Sequence, residues 1–518
     1  MKKMLTLLLA LLLALAAAGC GETGYFEKTV TDPASIRIGM EAEPMTLDPG
    51  RYTTLEEATL ISHLFEGLTT EDTDGAFVGA VAKSWEVTTT ADAAKRPVYT
   101  FKLRENAAWS DGTPVKAADF VYAWKRVISG EAESPYAYLF DVIYNAMTYA
   151  EDAEAELGLE AKDDTTLVVT LEGDCAYFPA LLALPVFVPV REDIVSQNAE
   201  GWVNDPATLI GNGAYMMTEW VHDDHITMTK NEKYRAAGEI VGTALDFVLR
   251  SGEAMQKAEK DGTLQAAFTA DNTASQEIMR SGLVYYYCIN TDTVTDVRVR
   301  QALTTALNRM ALDKNTIAPA YRLTAGEPLV VENAEAAGVL LAEAETVPES
   351  LTLLTNYVTS EQNDANVMMA QFAAAQWQDA LGIKVTVKSL PYDEFVAARD
   401  KGEFDIVRCG MAADFDDPAA YLELFESDSV GNYANYQSKE YNTLLTDSRS
   451  ELTAVERNKL LAQAENLLIA EDAAVIPLKF GTITLSHHDT LTGMTCNGLG
   501  IWNFANAVYA EKTAATGT

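Results

Sequence analysis

The stretch FDIVRCGMAADFDDPAAYLELF, residues 404–425, places one arginine, Arg408, ahead of three carboxylates, Asp414, Asp416 and Asp417. Carboxylates at this density can hold an ammonium group, coordinate a hard cation, or cap a helix. Asp416 and Asp417 stand directly before Pro418, a signature of a helix N-terminus, so they are expected to cap PAAYLELF. Calcium is the alternative, although the glycine and distal glutamate of an EF-hand are missing. A second candidate is HDDH, residues 222–225, whose two imidazoles and two carboxylates could hold zinc or nickel. It falls between two predicted strands, where polar residues cap a hairpin. The chain carries five histidines and lacks HExxH, GxSxG and a Walker loop. Gly211 and Gly213 form only a fragment of a dinucleotide fingerprint, with no helix pattern after them. No catalytic residue, cofactor or metal ligand is assigned, and a secreted hydrolase using two of the many carboxylates is the less favoured alternative class.

The elements that must position Arg408 and the aspartates follow from periodicity. Residues 35–40, 97–103 and 165–171 alternate as short strands, and KAADFVYAWKRVI places Phe120, Val121, Trp124 and Val127 on one helical face. From residue 284 onward strands and helices alternate: VYYYCIN; a helix over 296–312 with Val299, Leu303, Ala306, Leu307 and Met310 on one face; LTLLTNY; a helix closed by Gly382; IKVTVKSL; and FDIVRCG. A Thr453–Glu456 capping box is expected to open the next helix. In open α/β sheets, ligands sit outside the carboxyl ends of strands.

The N-terminus reads as a leader. Lys2 and Lys3 precede an uncharged run that ends at Cys20, with Ala18 and Gly19 before it. This resembles a bacterial lipoprotein processing site, in which Cys20 would be acylated and tether a soluble body to the outer face of the cell membrane. With 38 basic against 76 acidic residues and a net charge of −38, the chain repels nucleic acid. Its four remaining cysteines, Cys175, Cys288, Cys409 and Cys496, make no metal-site spacing. Length gives a prior of three to four domains, and no low-complexity linker interrupts residues 34–510.

Several segments in order, AEPMTLDP, HLFEGLTTEDTDG, WSDGTPVKAADFVYAW, GNGAYMMTEW and DVRVRQALTTALNR, resemble the extracytoplasmic solute-binding proteins of peptide ABC transporters, solute-binding family 5, which includes the oligopeptide-binding proteins. The resemblance runs over about residues 34–510. It implies an α/β, two-lobed periplasmic-binding-protein-like fold (class II, cluster C) with mixed sheets and an extra inserted domain. After a signal peptide (1–19) and a tether (20–33), lobe I would be 34–65 with 191–283 and 486–510. The inserted domain would be 66–190 and lobe II 284–485. The implied activity is non-enzymatic: a monomeric, lipid-anchored receptor that binds oligopeptides between its lobes and hands them to an ABC permease. The same fold could take another solute, such as a nickel chelate, an oligosaccharide or a dipeptide.

Position by position, the resemblance implies that Asp414 binds the peptide's α-ammonium and that Arg408 and Arg399 meet its carboxylate. It implies a close backbone approach at Gly410 and cleft-lining roles for Tyr136, Tyr286 and Tyr392. The family's disulfide positions fall on Leu283 and Ala412, and a substitute bridge between Cys288 and Cys409 is the corresponding expectation.

Overall fold

The computed structural model describes residues 32–72, 75–269, 275–312, 318–361 and 364–510. Cys20 and the leader lie outside them. A ten-stranded mixed sheet forms the frame. Its order is Lys384–Pro391, Ser350–Tyr357, Ile406–Ala412, Ser275–Ile289, Val475–His487, Ala266–Phe268, Ser35–Met40, Ala244–Leu249, His225–Lys230, Tyr215–Val221. Residues 82–170 add a separate four-stranded antiparallel sheet, covered by the helix Ala117–Ile128 through Phe120, Trp124 and Val127.

Two long strands carry the large sheet from one half to the other. Residues 275–280 pair with 482–487, and residues 284–288 pair with 475–480, with a register break between. Gly282 sits at that break with φ +73, a left-handed conformation that costs an L side chain about 1–2 kcal/mol. Across from it, a Cβ on Gly481 would stand 2.8 Å from Leu283 Cβ and Ser281 Oγ. The crossing is therefore thin, glycine-bearing and irregular, the local character of a hinge. One core cluster lies in the N-terminal half and reaches across to Phe415, Ala419 and Ala420; two others pack on opposite faces of the 284–480 strands.

Most predicted elements form, with two local differences. The helix from Val297 ends at Ala306, because Leu307 takes an extended conformation, and Met310 is exposed rather than part of the buried face. The helix Ala454–Asn466 starts at Thr453 as expected but without a capping box: the Thr453 side chain makes no cap bond, and Glu456 pairs with Lys459 instead. The helix Ala365–Leu381 does end at Gly382 in the left-handed conformation, satisfying its last carbonyls.

Candidate ligand-binding site

Strand 406–412 is hydrogen-bonded along its length to 283–289, but on its other side Ser350–Tyr357 pairs only with Ile406 and Val407. Residues 408–412 thus run past their neighbour with an open edge. Such an edge presents main-chain donors and acceptors in the pattern that an extended chain can complete.

Side chains along it alternate. Ile406 and Val407 are fully buried, Arg408 is half-buried, Cys409 is buried and Gly410 is exposed. Arg408 Nη1 donates to Asn356 Oδ1 at 3.4 Å, its guanidinium lies 5.4 Å from the Tyr285 ring, and Lys479 Nζ approaches the same ring at 5.5 Å. A Cβ on Gly410 would stand 3.3 Å from Tyr285 Cδ1, so glycine keeps this stretch of backbone uncovered.

Asp414 follows on the turn out of the strand, which is pinned to the crossing by Ala413 N–H donating to Gly282 O at 3.0 Å. Its side chain is exposed yet crowded by tyrosines from the N-terminal half. Tyr138 donates a hydrogen bond to it, and Tyr136, stacked on Tyr52 at 4.6 Å, stands close by. Desolvation by these neighbours raises the Asp414 carboxyl above its ordinary value, and the Tyr138 bond partly offsets this. Tyr138 itself is pushed up by desolvation and by the Asp414 charge. An anion held at some cost beside an open strand edge is arranged to receive a cation.

The other two aspartates do different work. Asp417 Oδ1 accepts from Ala419 N–H at 2.8 Å, the expected cap, and its carboxylate also makes a buried bidentate pair with Arg457 at 2.6 and 2.7 Å. Asp416 does not cap. It accepts from Gly498 N–H at 2.7 Å and hydrogen-bonds Glu71, whose carboxyl is pushed up to about 7 by burial and by the Asp416 charge. The three carboxylates diverge to separate partners.

Among the remaining expected residues, Arg399 ends the helix Tyr392–Asp400, 4.1 Å from the Tyr433 ring and ion-paired to Asp400 at 3.1 Å. It lies toward the side of Tyr286, opposite to that of Arg408, so the two arginines are not brought together. Tyr392 is exposed at the start of the same helix. Tyr286 is a correction: it is 2% exposed, packed on Phe425 in the core between Cys288 and Cys409, and does not line the cleft. Strand alternation puts the half-buried Tyr285 on the other face, beside Arg408 and Lys479.

The Cys288–Cys409 bridge is also corrected, since both are free thiols. Cys409 is directly opposite Tyr286 and therefore diagonal to Cys288, and the two buried thiols lie in hydrogen-bond contact without being joined. In HDDH, His222 Nδ1 pairs with Glu43 at 2.7 Å, whereas His225 bonds Asp224 at 2.8 Å and Glu219 at 3.4 Å. The two imidazoles thus serve different carboxylates, as a polar hairpin requires.

Residues 76–433 match the sequence model for bacterial extracellular solute-binding proteins, family 5. The chain belongs to this family. It is 32% identical over 482 residues to the periplasmic oligopeptide-binding protein OppA of Salmonella typhimurium, covering 85% of this chain and 86% of that one. The family 5 fold is equally plain in three dimensions. The unliganded open form of the periplasmic murein tripeptide-binding protein MppA superposes with TM-score 0.81 at 27% identity, over 93% of this chain and 98% of that one. Haemophilus influenzae OppA in complex with the peptide RPPGFSPFR gives 0.57 at 25% identity, over 93% and 100%. The architecture is the two-lobed α/β fold of family 5 solute-binding proteins, and these relatives are binding proteins. Among the described residues no helix is long and apolar enough to cross a membrane.

Proposed function

We propose that this chain is an extracytoplasmic receptor that binds oligopeptides between its lobes and delivers them to an ABC permease, tethered by an acylated Cys20. One observation carries the reading: the open edge of 408–412 leads directly into Asp414. Any peptide, whatever its side chains, offers main-chain amides and one α-ammonium. The edge can pair with the first and Asp414 with the second. Arg408 then faces the chain's carboxylate, with Tyr285 and Tyr136 along the path. Arg399 and Tyr392 are assigned to the outer rim, where longer peptides would reach them.

In this reading lobe I is 34–65, 191–283 and 486–510, the inserted domain is 66–190, lobe II is 284–485, and the glycine-bearing crossing is the hinge. The better superposition on an open relative than on a peptide complex supports taking this structure as the open state. Ligand acts by population shift, because only a solute touching both lobes favours closure.

The test is small-angle scattering of the monomer with and without a mixed tri- to pentapeptide pool, together with native mass spectrometry of protein purified without refolding. Contraction on adding peptide, with peptide masses on the native protein, is expected. No contraction, together with co-purified masses that belong to another solute class, would overturn the reading.

A further inference from the structure

The strand crossing is not the only junction between the two halves. The turn after Ile406–Ala412, with the short helices that follow it, also meets the N-terminal half. The Phe415 ring stacks on Tyr177 at 4.8 Å, Ala176 N–H donates to Arg449 O at 2.9 Å, and the Tyr177 hydroxyl donates to Glu423 at 3.4 Å. In the division proposed above, these contacts tie lobe II to the inserted domain.

Asp416 enters the same junction with a carboxylate and meets partners from two distant parts of the chain. Gly498 N–H reaches it at 2.7 Å, so closely that a Cβ on Gly498 would stand 2.3 Å from Asp416 Oδ1. Only glycine permits that approach. The other partner is Glu71, which ends the strand Thr69–Glu71 of the hairpin with Phe77–Gly79 and hydrogen-bonds Asp416 through its own carboxyl. An ionised carboxylate only accepts, so two carboxyls bond each other only with a proton between them.

The surrounding groups do not take that proton's place. Asp72 and Asp417 add negative charge, and Arg457 is committed to Asp417 in the bidentate pair described above. Across the neighbouring cavity Arg322 is paired with Glu465, and Glu451 is a further carboxylate. Tyr421 donates to Gly282 O at 2.6 Å, and Arg280, which faces Tyr421, stands 3.9 Å over the Phe480 ring. The Cys496 thiol is pushed up to about 12 by burial and by Glu277 and Asp416, and is neutral at ordinary pH. Since burial and the Asp416 charge push Glu71 up to about 7, the shared proton is held below neutrality and lost above it.

We infer that Glu71 and Asp416 form a proton-held latch between the hairpin at 69–79 and the turn at 413–418, which keeps the ligand-free arrangement and gives up its proton when peptide binds. The inference rests on the peptide reading above and adds a pH control to it. Two effects expel the proton. An α-ammonium received at Asp414, two residues from Asp416, favours the ionised pair. Closure also moves the turn against the hairpin, breaking a bond that only the protonated pair can make. Acid therefore holds the lobes apart, and neutral to mildly alkaline pH frees them.

Hydrogen exchange of the ligand-free protein, corrected for the intrinsic pH dependence of exchange, reads the junction without any ligand. In wild type, protection of 69–79 and 413–420 should fall several-fold between pH 6 and pH 8. In Glu71→Gln it should stay constant, because the amide donates to Asp416 at every pH. Titration calorimetry with tri-alanine at pH 7, in buffers of different ionisation enthalpy, then counts protons. Wild type should release roughly 0.3–0.5 proton more than Glu71→Gln, because about half of the pairs carry the proton at that pH. The peptide's own amine contributes equally to both proteins. Equal proton counts, or junction protection with the same pH dependence in both proteins, would overturn the inference while leaving the peptide receptor intact. Failure of every peptide to bind would instead remove the peptide reading, and the coupling to binding with it.

Discussion

Replacing Asp414 with asparagine keeps the side chain's shape and removes the charge that, in the proposed function, meets a peptide's α-ammonium. Two unit charges 4 Å apart attract by about 1 kcal/mol in water and about 4 kcal/mol at the effective dielectric of a protein surface. Asp414 is exposed in the open protein but crowded by Tyr52, Tyr136 and Tyr138, and lobe closure would remove more water. A value near the middle, about 2 kcal/mol, corresponds to a roughly 30-fold weaker Kd.

The unliganded protein should respond in the opposite sense. Because the folded-state pKa of Asp414 is raised by desolvation, its ionised form weakens the fold above that pKa, and the neutral asparagine should leave Tm unchanged or slightly higher. The same shift sets the pH dependence of binding. Affinity should fall as acid protonates Asp414, beginning above the usual carboxylate range, and fall again on the alkaline side as the peptide amine, with a pKa of about 8, loses its proton. Titration calorimetry of wild type and Asp414→Asn against a peptide and its N-acetyl derivative measures the coupling directly. The acetyl group and the substitution should each weaken binding, and together cost little more than either alone. A wild-type protein that binds free and acetylated peptide equally well would refute the reasoning.

Glu71, pushed up to about 7 by burial and by Asp416, should make the protein lose stability as pH rises from about 4.5 to 7, because the folded state binds the proton that the unfolded state has released; Tm followed across that range should flatten in Glu71→Gln. Asp417→Ala leaves Arg457 charged and buried, and should cost about 3–5 kcal/mol in urea unfolding. Tyr285→Ala should weaken peptide binding with little effect on stability, whereas Tyr286→Ala should cost about 3 kcal/mol of stability and leave the affinity of the folded fraction unchanged; the reverse pattern would return the cleft role to Tyr286.

The sequence by itself determined what is local and periodic. The amphipathic face of Phe120, Trp124 and Val127, the stop at Gly382, the alternation of strand and helix after residue 284, and the helix cap at Asp417 all rest on neighbours in the chain. The segments that carry the family resemblance were legible for the same reason. Tertiary structure decided which side chains meet. In YYY, residues 285–287, three identical rings cannot announce which are buried; the pairing with 406–412 and 475–480 turns Tyr286 and Tyr287 into the two cores and leaves Tyr285 half-buried. Arg399 and Arg408 are nine positions apart yet lie toward opposite sides of the sheet. Tyr138, two residues beyond the expected Tyr136, gained its place only because a distant turn delivers Asp414 to it. Asp416 reaches Glu71 and Gly498, partners hundreds and tens of residues away. Periodicity fixes the face of an element, but the partner on that face is chosen by long-range packing, and packing is where a cleft acquires its chemistry.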